Sequence, residues 1–173
     1  ISDASTDNTN KIMESISDSR LKTTFNKNRQ GKVVIMNDLF KTCKSDYLVI
    51  IDADTVINDS MFISKLIAPT TGKKNIGIVG AKVESLKGNS LFERTIALSH
   101  KVKNEIYENN YKKTPLYLCH GRARLFSYVF YSTLEIPKDV PEDSYSYLAC
   151  ITRNLEFVYA PKAVVYFKSP SNL

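Results

Sequence analysis

Tyr47-Leu48-Val49-Ile50-Ile51-Asp52-Ala53-Asp54 is the stretch that decides the fold. Its first five residues are apolar on both alternating faces, which predicts a central strand buried on two sides. The run then stops at two carboxylates separated by one alanine. Ligands of open parallel sheets bind beyond the carboxyl ends of the strands, so Asp52 and Asp54 fall where a site belongs.

Working outward toward the N-terminus, Val33, Met36 and Phe40 recur at helical spacing and predict a helix that stops near Lys44 and Ser45. A polar loop, Asn26 to Gly31, precedes it. Before that loop, Leu21 to Phe25 reads as a short strand. Ile12, Met13 and Ile16 mark a short helix entered through Asp7 or Thr9 as cap. Toward the C-terminus, Asp59 or Ser60 can cap a helix carrying Met61, Phe62, Leu66 and Ile67, which Pro69 ends. Ile76 to Val83 predicts a strand. Ser90-Leu91-Phe92-Glu93 is a capping box opening a long helix, whose buried stripe is expected at Phe92, Ile96, Leu98, Val102 and Ile106. Leu116 to Leu118, Leu125 to Tyr131, Phe157 to Tyr159 and Val164 to Phe167 predict strands, and Ser144 to Arg153 a helix. Alternating strands and helices predict an α/β fold, a three-layer α/β/α sandwich with a mostly parallel central sheet.

An apolar fraction of 43% with 10 Tyr and 8 Phe fills a core, which excludes a disordered or collagen-like chain. The 173 residues are expected to form a single domain over 1–173, with no internal linker or repeat. Ile1 passes within one residue into a Ser/Asp/Thr turn, as the end of a strand would, so the domain is expected to be trimmed at both ends. Cys43, Cys119 and Cys150 form no CxxC pair, which argues against a disulfide framework or a thiolate zinc site and fits a reducing compartment. The net charge of +6 and pI near 9.1 raise the alternative of a nucleic-acid or membrane-surface module. Its signature would be a basic stripe with interleaved aromatics. The cations are instead spread over Arg20 to Lys44, Lys73-Lys74 and Lys112-Lys113, so no nucleic-acid partner is expected.

Four groups of residues carry chemistry. Asp52 and Asp54 can share one hard cation, Mg2+ or Mn2+, together with phosphate oxygens. Asp3 lies at a presumed strand exit, within Ser2-Asp3-Ala4-Ser5-Thr6-Asp7-Asn8-Thr9, and can accept a hydrogen bond from a base or a ribose. Arg29 and Lys32 flank Gly31 at a helix start, which suits a diphosphate. Glu142-Asp143 follows a Pro-rich loop; two adjacent carboxylates can raise one pKa and supply a general base, or simply favour a helix N-terminus. His120, Gly121 and Arg122 are weaker candidates for acceptor contact, and Arg122 with Arg124 could meet an anionic acceptor. HExxH, Walker A and GxGxxG motifs are absent.

Arg29-Gln30-Gly31-Lys32 with Asn37, Ile51-Asp52-Ala53-Asp54-Thr55, Gly121 ahead of Leu125-Phe126-Ser127, Pro141-Glu142-Asp143-Ser144 and Tyr159-Ala160-Pro161-Lys162-Ala163 follow the Asp3 cluster in an ordered series. This series resembles the family-2 glycosyltransferases with the Rossmann-like glycosyltransferase A fold. The resemblance implies inverting transfer of a sugar from a nucleotide-diphosphate sugar, a UDP-sugar, to a hydroxyl of a glycan or lipid-linked acceptor, as in polysaccharide biosynthesis. By that resemblance Asp3 contacts the base, Lys32 and Arg29 the nucleotide, Asp52 the ribose side and the metal, and Asp54 the metal. Asp143 is then the catalytic base, with Glu142 beside it. The QxxRW signature of processive relatives is not found. Many relatives continue into membrane helices, so the parent is expected at the cytoplasmic face of a membrane. A nucleotidyltransferase would also use strand-end carboxylates and a metal, but would release pyrophosphate rather than a nucleoside diphosphate.

Overall fold

The computed structural model describes residues 1–111, 113 and 115–169. Lys112 of the Lys112-Lys113 pair and the tail from Pro170 onward lie outside the described residues. Two short strands, β1 (Ser2–Asp3) and β2 (Phe25–Asn26), pair in parallel. The main sheet uses β3 (Tyr47–Ile51), β4 (Thr55–Val56), β5 (Ile76–Ser85), β6 (Ala123–Ser127) and β7 (Glu156–Phe167) in the order β3-β6-β5-β7-β4. β3, β5 and β7 share one direction, and β6 and β4 run against them. The direction is therefore mostly common, as expected, while β6 is inserted antiparallel between β3 and β5.

Helices cover both faces. α1 (Thr9–Glu14), α2 (Lys32–Thr42), α3 (Phe62–Ile67), α4 (Leu91–Asn109), α5 (Tyr128–Tyr131) and α6 (Glu142–Thr152) are interspersed with the strands, with β3 and β4 consecutive and α5 and α6 consecutive. Met36 and Phe40 of α2, Phe130 of α5 and Cys150 of α6 close over Ile78, Phe126 and Phe157 on one face. Phe62 and Leu66 of α3 close over Val79, Leu125 and Val165 on the other. Neighbours in sequence such as Ile78 and Val79, or Leu125 and Phe126, thus feed opposite cores, as strand alternation requires. No helix among the described residues is long and apolar enough to cross a membrane.

Several expectations need correction. The fully buried strand is β6, whereas β3 is half-buried at the sheet's edge. Its side away from β6 faces a cavity of about 580 Å3 lined by Ile1, Asp3, α2 and β3 itself. The apolar run Leu125 to Tyr131 breaks at Ser127 into strand and helix. Leu116 to Leu118 belongs to a 3-10 turn, Pro115–Leu118. Leu21 to Phe25 contributes only Phe25 to a strand. Phe157 to Tyr159 and Val164 to Phe167 are one strand, with Pro161-Lys162-Ala163 carried in a register shift opposite Ala81/Lys82. A bulge is where a strand tolerates proline.

α4 departs most. Its capping box forms as predicted: Ser90 Oγ accepts from Glu93 N–H and the Glu93 carboxylate accepts from Ser90 N–H. Its stripe does not, because Leu98, Val102 and Ile106 face solvent while Glu93 and Asn104 are buried. Both polar groups are satisfied, since Glu93 takes the backbone N–H of Asn89 and Asn104 donates to Val83 O. Local hydrogen bonding, rather than apolar periodicity, sets which side of the helix faces the domain.

Candidate active site

β3 ends at Ile51, and Asp52 N–H bonds Arg122 O at 2.8 Å, which ties the strand end to the segment leading into β6. Lys32 is the first residue of α2, after Gly31 at φ 89°, a conformation for which glycine is suited. From there the Lys32 ammonium reaches Asp52 Oδ1 and Glu142 Oε1, each at 2.6 Å, and donates to Gly121 O at 3.1 Å. One cation therefore gathers the starts of two helices, a strand end and the loop before β6. Gly121 is required by that approach, because a Cβ there would lie 2.6 Å from Glu142 Oε1.

Asp54 is paired with Arg122 at 2.6 Å, and the Arg122 guanidinium lies over the Phe167 ring at 4.2 Å. Glu142 and Asp143 open α6. Arg124, expected at an anionic acceptor, is wholly buried instead. It donates to Glu142 Oε1 at 3.1 Å and to Ser146 Oγ at 2.6 Å, so it anchors the first turn of α6 from within the core. The expectation that the carboxylate pair raises a pKa fails for Glu142. Burial pushes its carboxyl up, but the Lys32 hydrogen bond and the charges of Arg124 and Lys32 outweigh it and leave the group below the ordinary carboxylate value. Glu142 is thus an ionised anchor. Asp143 is held differently: among the described residues only Oδ1 accepts bonds, from Ser144 N–H at 2.7 Å and the Ser144 hydroxyl at 3.5 Å.

Lys32, Asp52, Asp54, His120, Gly121, Arg122, Glu142 and Asp143 together line a cavity of about 330 Å3. Burial pushes the His120 imidazole pKa down, and nearby His100, Arg122 and Arg124 act the same way against the pull of Asp143. Asp3 lies off this group, in the neighbouring cavity that also reaches Lys32, Asp52 and Asp54. Its carboxylate accepts from Asn26 Nδ2 at 2.9 Å, Gln30 N–H at 2.9 Å and Gly31 N–H at 2.8 Å, which shapes the loop leading into Lys32. These bonds, led by Asn26, hold its carboxyl below the ordinary value. Arg29 is exposed and lines neither cavity. Sequence reasoning missed Arg124 and Ser146 as supports, and every residue of β6 being buried is what the structure adds.

A sequence model described as glycosyl transferase family 2 matches residues 1–134. The chain belongs to glycosyl transferase family 2. Among solved structures, this family-2 chain resembles a mannosyltransferase, PcManGT from Pyrobaculum calidifontis in complex with GDP-Man and Mn2+, with a TM-score of 0.61 at 16% identity. That match covers 88% of this chain and 40% of the other, and it shows the glycosyltransferase A fold. A structure described only as a mycobacterial protein matches at a TM-score of 0.45 and 11% identity, over 81% of this chain and 42% of that one. The family-2 chain thus spans about two fifths of the solved structures it matches. No curated protein sequence matches it.

A divalent cation of the kind present in the solved mannosyltransferase would meet Asp52 and Asp54 here. No group of three or more His, Cys, Asp or Glu side chains that could hold a metal occurs among the described residues. A hard cation needs none when one or two carboxylates share it with substrate phosphates and water. Asp54 provides such a carboxylate: its side chain is 65% exposed and its only ion pair among the described residues is Arg122.

Proposed function

We propose that this domain transfers a sugar, with inversion, from a nucleotide-diphosphate sugar to an acceptor hydroxyl. The observation that carries the proposal is the Lys32 ammonium held at 2.6 Å from both Asp52 and Glu142. It brings three motifs far apart in sequence to the end of one strand, with Asp143 beside them. Lys32 and Arg122 offer positive charge to a diphosphate, and Arg29 stands at the same loop. Asp3 shapes that loop and faces the base side. The donor is proposed to be a UDP-sugar; the structural neighbour was solved with GDP-Man, so both bases belong in any test.

Asp54, with Asp52, would hold Mg2+ or Mn2+, which when bound offsets charge on the leaving diphosphate. Asp143 takes the acceptor hydroxyl's proton as that oxygen attacks the anomeric carbon. The bond from that carbon to the diphosphate breaks in the same displacement, so configuration inverts. Lys32 and Arg122 accept the charge that appears on the departing oxygens. Glu142, held by Lys32 and Arg124, fixes the first turn of α6 and thereby the position of Asp143.

Replacing Asp143 by Asn keeps shape and removes the base. We expect turnover to fall about 10²–10⁴-fold, the usual contribution of general base catalysis, with donor binding changed little. Kinetics and calorimetry on the same preparation check this, and full turnover in the variant would place the base elsewhere.

A further inference from the structure

Asp143 stands between two cavities. One is the pocket with Lys32, Asp52 and Asp54. The other, of about 280 Å3, opens between α4 and the Pro115–Leu118 turn, where His100, Lys103, Tyr107 and Tyr117 line it. Among the described residues, only His120 and Asp143 line both. A displacement at an anomeric carbon needs the leaving diphosphate and the attacking hydroxyl on opposite sides of that carbon, with the base on the hydroxyl's side. The α4 cavity shares Asp143 with the first pocket, so a ring held there would bring its hydroxyl to the base from a side other than that of Lys32, Asp52 and Asp54. His120 Nε2 is buried with no hydrogen-bond partner among the described residues, and a buried polar atom of this kind calls for an explanation. A hydroxyl brought to the junction would provide one.

The chemistry of the α4 cavity narrows its occupant. Tyr107 and Tyr117 stack with ring centroids 4.7 Å apart, and Tyr117 is half-exposed, so the pair offers an aromatic wall. Lys103 makes no ion pair among the described residues. Asp143 is the cavity's one carboxylate among the described residues. The Lys103 ammonium and the aromatic wall stand on one side of a space below the roughly 300–1,000 Å3 of a drug-sized ligand, which suits a single ring.

Resting on the transferase proposal above, we infer that this cavity is the acceptor subsite, and that it takes a sugar ring bearing a phosphate or carboxylate. The anion pairs with Lys103, and the nucleophilic hydroxyl faces His120 and Asp143.

The two histidines of the chain both line this cavity, so 15N-histidine labelling reports on it directly. The protein, without donor, is titrated with glucose 1-phosphate, glucuronic acid and uncharged methyl glucoside while the imidazole resonances are followed. The charged sugars are expected to shift both histidines and to bind roughly tenfold more tightly than methyl glucoside. The phosphate and the carboxylate probes separate the two sources of charge. Lys103→Met, at an exposed position, should abolish the preference. Equal binding of all three sugars, preference surviving in Lys103→Met, or inorganic phosphate binding as tightly as the sugar phosphate would overturn the inference. UDP and GDP titrated with Mn2+ against wild type and Asp54→Ala test the donor side separately. Donor-side binding without charge preference at the histidines defeats the subsite alone; absent donor-side binding defeats the transferase proposal whatever the histidines report.

Discussion

Lys32 does at the residue scale what no sequence motif states: its ammonium makes two 2.6 Å contacts to carboxylates that enter from a strand end and a helix start. Removing Lys32 strips Asp52 of its ion pair and leaves Glu142 on Arg124 alone, and a partly buried carboxylate without its partner is the costly case. Glu142 reports on this through pH. Its carboxyl lies below its ordinary value of 4.5 in the folded chain, so ionised Glu142 stabilises the fold above that pH. The contribution is lost as pH falls through the lowered folded value. Acid unfolding followed by circular dichroism should therefore be less steep below pH 4.5 in Glu142→Gln than in wild type; identical slopes would show that Glu142 carries no such linkage. Gly121 gives a second expectation. A Cβ at Gly121 meets Glu142 Oε1 at 2.6 Å and Lys32 Nζ at 3.3 Å, both pinned, so Gly121→Ala should displace the pair and cost about 10²-fold in turnover. An alanine variant as active as wild type would show that the cluster yields without consequence. Asp52, Asp54 and Lys32, which share one cavity with Asp143, were singled out by local signals, strand-ending carboxylates and a glycine-lysine helix start, whereas Asp143 was singled out only through the family resemblance. Arg124 was not, since nothing local distinguishes an arginine buried on Glu142 and Ser146 from one at a surface.

At the element scale, what the sequence told correctly was carried by hydrogen-bond chemistry and by unambiguous apolar spacing. The Ser90 box, α2 with Met36 and Phe40 inward, and the abrupt end of β3 all followed from such signals. α4 misled because its apolar residues Leu98, Val102 and Ile106 repeat at helical spacing on the solvent side, opposite the satisfied Asn104. Burial decides the energetic difference. Leu98→Lys, at 62% exposure, should change unfolding free energy by less than about 0.5 kcal/mol. Leu66→Ala, at a site wholly removed from solvent in α3, should cost roughly 2–5 kcal/mol. Denaturant titration of both variants checks the pair; a large loss in Leu98→Lys would mean that α4 packs with its apolar stripe inward. The position of β6 was illegible for another reason. Pairing partners far apart in sequence decide which strand takes the centre, and periodicity records burial without recording neighbours.

For the whole molecule, the shared direction of β3, β5 and β7 places the strand-end carboxylates and the start of α6 on one rim, where ligands of α/β sheets bind. The net charge of +6 becomes specific on that rim: Lys32, Arg122 and Arg124 neutralise Asp52, Asp54 and Glu142 in the folded chain. A donor diphosphate with its cation enters a site already balanced in charge, so donor binding should depend on the metal. Calorimetric titration of the full-length protein with UDP- and GDP-sugars, with and without Mn2+, measures this most directly. Binding of at least one donor that requires the cation and is lost in Asp54→Ala is the expected result. Failure of every nucleotide sugar to bind in the presence of Mn2+, or binding indifferent to both the metal and Asp54, would contradict it.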